Sequence, residues 1–114
     1  MAIDRKALSR HYKETPRPMG VCRVLNKISG ESLVTRSVNL PAMLNRHQAQ
    51  LRFGAHPDRG FQADWNAHGP DAFAFEVLDI FKPPDGPGAD PSEDLRALEE
   101  LWIEKLAPLA RRTA

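Results

Sequence analysis

One cysteine, one tyrosine and two tryptophans are spread over 114 residues, and each scarcity excludes something. Cys22 has no partner with which to staple a fold, so stability rests on a packed core and not on disulfides. No apolar run extends beyond a few residues, far short of the roughly 20 that a membrane-spanning helix needs. Neither sign of charge dominates: 16 Lys and Arg face 15 Asp and Glu, giving a formal net charge of +1. The strongly basic totals of a dedicated nucleic-acid binder are therefore missing. A basic face balanced by an acidic one stays compatible with them. The opening stretch, MAIDRKALSRHYKETPRPMG, lacks the apolar core of a secretory signal and carries acidic residues, so a cytoplasmic setting with no membrane partner is expected.

What is present is ordinary for a globular chain, with 41% hydrophobic and 27% charged residues and the length of one domain. Residues 3–13 read as a short helix ended by Pro16 and Pro18, and residues 1–18 form an N-terminal helical extension. Residues 19–114 form the domain proper. MGVCRVLN at 19–26 and ESLVTRS at 31–37 are strand-like and flank the turn KISG, which is the pattern of a β-hairpin. Asn39 suits the N-cap of a helix over about 40–52, and a second helix over about 59–67 stops at Gly69-Pro70. AFAFEVLDIF at 72–81 is a third strand, with Phe73, Phe75 and Val77 on one face and Ala74, Leu78 and Ile80 on the other. After the Pro- and Gly-rich KPPDGPGADP, Ser92 is placed to cap a helix running to about Ala107. The expected fold class is α/β (α+β), a small three-stranded antiparallel sheet flanked by helices.

Two helices each break their own pattern. In the last, Leu95, Leu98, Trp102, Leu106 and Leu109 form one stripe, and Glu99 falls roughly 40° from Leu95, inside it. A carboxylate aimed at a core must be paired, hydrogen-bonded or metal-bound. An arginine or backbone amides would satisfy it without any function. In the helix over 40–52, His47 sits amid Leu40, Met43, Leu44 and Leu51. A lone imidazole on an apolar face is ordinarily a satisfied core residue. Two inward ionisable groups in one small domain, if their helices pack on one sheet, form the pattern of a site. His56 reads on its own as a loop residue, and Cys22, sharing a face with Val24, as a small buried hydrophobe.

With these residues in order, the chain resembles the GIY-YIG endonuclease superfamily, and in particular a branch of small bacterial stand-alone proteins. The resemblance runs from about Met19 to Leu109, carried by SVNLPAMLNRHQAQLRFGAHPDRGFQADWNAHGPDAFAFEVLDIF and LEELWIEKL. The GIY position reads Gly20-Val21-Cys22 and the YIG position Leu33-Val34-Thr35, so Cys22 and Leu33 stand where the family has tyrosines. Met43 stands at the family arginine. His47, His56 and Glu99 match two family histidines and the metal-binding carboxylate. A late asparagine is missing from Arg111-Arg112-Thr113-Ala114.

The resemblance implies a GIY-YIG-like fold and a metal-dependent phosphodiesterase mechanism. There a tyrosine or the water it activates attacks phosphate, the arginine offsets charge, and a metal on the glutamate, magnesium or manganese, stabilises the leaving oxygen. Without both tyrosines and the arginine, little or no nuclease activity is expected, and the fold would serve to bind nucleic acid or a protein partner. Arg23, Arg36, Arg46 and Arg52 would then supply a nucleic-acid-binding surface, or else merely a solvated face. A second reading repurposes Cys22, His47, His56 and Glu99 as a zinc site, or Cys22 with His47 as a thiol nucleophile and its base. A third is a divergent endonuclease with His47 or His56 as base and Glu99 as metal ligand. Exposed apolar residues of the N-terminal helix would fit a homodimer contact.

Overall fold

The hairpin is built around one asparagine. The Asn26 carboxamide oxygen accepts the backbone N–H groups of Ile28 (3.0 Å) and Ser29 (3.3 Å), and the Gly30 N–H donates to the Asn26 carbonyl at 2.7 Å. Gly30 has φ +79°, a left-handed backbone that glycine adopts without cost. In this computed structural model, which describes residues 18–82 and 90–112, the turn joins β1 (Met19–Asn26) to β2 (Ser32–Ser37). The expected N-terminal helix over 3–13 lies outside the described residues, as does most of the Pro- and Gly-rich loop.

Asn39 caps α1 (Leu40–Arg52) as expected, accepting the Ala42 N–H at 3.2 Å. Asp58 caps α2 (Arg59–His68) by accepting the Phe61 N–H at 3.1 Å, and Gly69 ends it at φ +82°. A single 3₁₀ turn, Pro70–Ala72, leads into β3 (Phe73–Phe81). The last helix, α3 (Ser92–Leu106), starts differently from expectation. Ser92 is its first residue, and Asp90 accepts both the Ser92 N–H (3.0 Å) and hydroxyl (2.7 Å). It also ends at Leu106, so Leu109 lies beyond the helix and is half exposed.

The sheet corrects the expected strand count. Four strands are ordered β3-β1-β2-β4, and β4 (Ala110–Arg112) pairs in parallel with β2, Ser32 opposite Ala110 and Val34 opposite Arg112. Three residues reading Ala-Arg-Arg show no alternation. Their strand character comes from docking on the edge of β2, begun by the Ser32 N–H donating to the Leu109 carbonyl at 2.7 Å. A second difference lies in β3. Cys22 registers with Val77 but Val21 with Asp79, so Leu78 is an extra, bulged residue. Beyond it Ile80 registers with Gly20, in the row of Cys22 and Val77 and not with Ala74.

The sheet is the middle layer. Val24, Leu33 and Phe73 on one face pack with Leu51 of α1 and Phe61 of α2. Trp65 stands against Phe73 and Phe75, ring centroids 5.4 and 6.4 Å apart. The other face carries Val21, Val34, Arg36 and Asp79. α3 covers it, with the Trp102 indole N–H donating to Asp79 at 3.1 Å. Because both faces are covered, consecutive residues of the central strands are buried, Val21 with Cys22 and Leu33 with Val34.

Candidate functional site

α1 turns Leu40, His47 and Leu51 inward, and His47 is 2% exposed. Its Nε2 lies 3.2 Å from the Thr35 hydroxyl on β2, and its Nδ1 lies 3.0 Å from Nε2 of His56. The two rings stack with centroids 5.2 Å apart. His56, 5% exposed, accepts the Asp58 backbone N–H on Nδ1 at 3.0 Å. That last bond assigns the protons of the series, since an amide N–H can only donate. His56 Nδ1 is therefore bare, its Nε2–H donates to His47 Nδ1, and His47 Nε2–H donates to Thr35. A further proton on either ring would meet another N–H head-on. Burial lowers both basicities. His47 falls to about 4, helped by its proximity to His56 and Arg46. His56 is also lowered by burial, although Asp58 opposes the shift. Both imidazoles are neutral near pH 7.

The loop carrying His56 is fixed from α2. Gln62 accepts the His56 N–H at 3.0 Å and donates to the Leu51 carbonyl at 2.9 Å and to Asn66 at 3.0 Å. An open depression of about 530 Å³ lies against this loop, lined by Gly54, His56, Arg59, Gln62 and Asn66 among others. Phe53, next to it in sequence, is 84% exposed.

Glu99 approaches β2 from the opposite face. Its Oε2 accepts the Arg36 backbone N–H at 2.8 Å, and its Oε1 meets Arg36 Nη1 at 2.7 Å and Arg112 Nε at 2.7 Å. The buried carboxylate is thus satisfied by arginines and a backbone amide, and both its oxygens are committed. His47 and Glu99 engage consecutive residues of β2, Thr35 and Arg36, from the two sides of the sheet.

Cys22 is fully buried and its thiol donates to the Thr35 carbonyl at 3.6 Å. Burial, reinforced by the Glu99 charge, pushes it up to about 11. A thiol this reluctant to ionise, bonded to a carbonyl and not to an imidazole, makes a poor nucleophile and a poor metal ligand. Among the described residues, no group of three or more His, Cys, Asp or Glu side chains is placed to hold a metal ion. A divalent ion at Glu99 would have to displace two guanidinium groups. The donor set does not fit a metal.

The expected arginine surface is divided. Arg23 shares the α3 face with Arg36 and is tied to Glu76 at 2.9 Å, whereas Arg46 and Arg52 are exposed on α1, across the sheet. Sequence reasoning missed Arg111 and Arg112 altogether. Arg111 reaches Asp58 at 2.8 Å and Glu31 at 3.2 Å and lies 5.2 Å from the Phe61 ring centroid. The inward Glu99 called for an arginine or amide partner, but nothing local in the sequence says that Arg112 supplies it.

No protein-family model and no curated protein matches the chain by sequence. Solved structures do. The catalytic domain of the homing endonuclease I-TevI superposes with a TM-score of 0.64 at 20% identity, over 84% of this chain and 98% of that one. A point mutant of that catalytic domain gives 0.62 at 19% identity, over 78% and 84%. The fold is GIY-YIG-like. On this GIY-YIG-like frame, Cys22 and Leu33, at the positions the resemblance matches to tyrosines, are both fully buried, and Met43 is half-buried. GIY-YIG nucleases typically depend on a divalent metal. Here Glu99, the carboxylate that the resemblance matches to the metal ligand, is held by arginines.

Proposed function

We propose that this chain uses a GIY-YIG-like scaffold to bind nucleic acid and hydrolyses phosphodiesters weakly or not at all. The observation that carries the reading is the state of Glu99, whose two oxygens are taken up by Arg36 and Arg112. Across the sheet from it, Cys22, Leu33 and Met43 supply no phenol and no guanidinium, and both imidazoles are closed into a hydrogen-bonded series. Losing one acid–base or electrostatic partner costs about 10²–10⁴-fold in rate, and several are missing together. Binding is a separate matter. Arg59 lines the depression, exposed Arg52 and Phe53 directly precede its Gly54 in sequence, and Arg46 is exposed on the same helix α1, so cationic groups and an unburied aromatic ring suited to phosphate and base are at hand.

The test is a nicking assay on supercoiled and single-stranded DNA with magnesium or manganese, run alongside binding by fluorescence anisotropy. No cleavage above background is expected, with binding that weakens steeply as salt rises. Robust cleavage that disappears in Glu99→Ala would refute the loss of hydrolysis. Absence of any salt-sensitive binding would refute the nucleic-acid role and leave a protein partner.

A further inference from the structure

Two guanidinium groups share one carboxylate oxygen. Arg36 Nη1 and Arg112 Nε each lie 2.7 Å from Glu99 Oε1. Strand pairing brings them there: Arg112 registers with Val34, and Arg36 is the next residue on that same face of β2. Glu99 is 2% exposed, yet the two arginine side chains are 41% and 47% exposed. The anchor is buried and the cationic heads are not. Glu100 also touches Arg112, at 3.4 Å, and Arg96 at 3.6 Å, so three arginines face two carboxylates. A guanidinium carries five N–H donors, and a carboxylate shared between two of them leaves donors available on the exposed side. Like charges held this close gain from an additional anion.

We infer that Arg36 and Arg112 form a metal-independent phosphate-binding site, with Glu99 as the residue that positions both. The inference rests on the nucleic-acid-binding reading above. In a metal-dependent phosphodiesterase the cation facing the phosphate is a metal on the carboxylate. Here a cation already stands beside that carboxylate, as guanidinium on two strands. A guanidinium fork matches two phosphate oxygens at once, which makes a phosphodiester the fitting ligand. The residues bind and orient; nothing in the site supplies a nucleophile.

The experiment measures anisotropy of labelled duplex DNA on the full chain, with excess EDTA and with magnesium, across a salt series. Affinity should be the same with and without metal. Arg36→Gln and Arg112→Gln should each reduce the slope of log K against log salt by about 0.9. Lys27→Gln, on the hairpin turn at the other end of β2, should leave it unchanged. Glu99→Gln separates positioning from bulk charge. Removing a negative charge would by itself tighten binding, whereas loss of the shared anchor should weaken it and flatten the slope. If Glu99→Gln fails to fold, the two arginine variants decide alone. Unchanged slopes in both arginine variants, or binding that requires magnesium, would overturn the inference while leaving the binding role intact. Equal competition by polyglutamate would show that the site takes carboxylates and not phosphodiesters, and would overturn it too. No DNA binding at all would overturn the binding role itself.

Discussion

Acid should unfold this protein through its histidine pair. In the folded state His47 has both ring nitrogens engaged and is neutral, held down to about 4 from an ordinary value of 6.5. In the unfolded chain the same imidazole takes up a proton as pH falls through 6.5. Between those values the unfolded state binds more protons, so stability falls as pH falls. The contribution is complete above 6.5 and gone near 4. At about 1.4 kcal/mol per tenfold change in the proton equilibrium, His47 accounts for about 3 kcal/mol. His56 is lowered as well and acts in the same direction. For a small domain whose total stability is about 5–15 kcal/mol, that is a large share. The measurement is urea unfolding, followed by the fluorescence of Trp65 and Trp102, at a series of pH values through this window. Carboxylates also titrate near its lower end, so the informative quantity is a difference. His47→Gln keeps a hydrogen-bonding head but cannot ionise. Its stability should change much less than the parent's between pH 6.5 and 4. Parallel pH profiles for the two proteins would refute the reasoning, because the imidazole would then not carry the dependence.

Three further outcomes follow from the packing. Gly20→Ala should destabilise by several kcal/mol, roughly the range of steric overpacking and backbone strain combined, because any Cβ there runs into the Asp79 carbonyl; thermal unfolding by circular dichroism reads it. Phe61→Ala, at a fully buried ring in contact with Phe73, should cost about 3–5 kcal/mol in the same experiment. The Cys22 thiol should resist alkylation in the native protein at neutral pH and react readily in urea, which mass spectrometry resolves.

Much of this architecture is written locally. The Asn26-to-Gly30 turn, the Asn39 cap and the Gly69 stop are decided by side chains within a few residues of the backbone they satisfy, and they stand where local rules place them. Periodicity likewise exposed Glu99 and His47 as inward polar groups, and both are buried. What periodicity could not provide was partners distant in sequence. Arg112 meets Glu99 through a strand that exists only because β2 offers an edge, and three residues carry no pattern of their own. His56 looks like an ordinary loop residue until Gln62, from the following helix, pins its backbone beside His47. The bulge at Leu78 is equally silent, since an alternating pattern gives no sign of where a register will slip. The cost of that silence was the face assigned to Ile80.

The brevity of β4 and the kink in β3 bear on how copies of this protein meet. A straight, unpaired strand at the rim of a sheet is a template on which another chain can polymerise. Among the described residues, one rim is three residues long and ends in two arginines, and the other is bent by its extra Leu78. Neither gives an incoming strand a regular ladder, even though Val77 and Ile80 leave apolar surface on the bent one. Concentrated solutions should therefore resist fibre growth, and self-association, where it arises, should proceed through side-chain contacts and not through sheet extension.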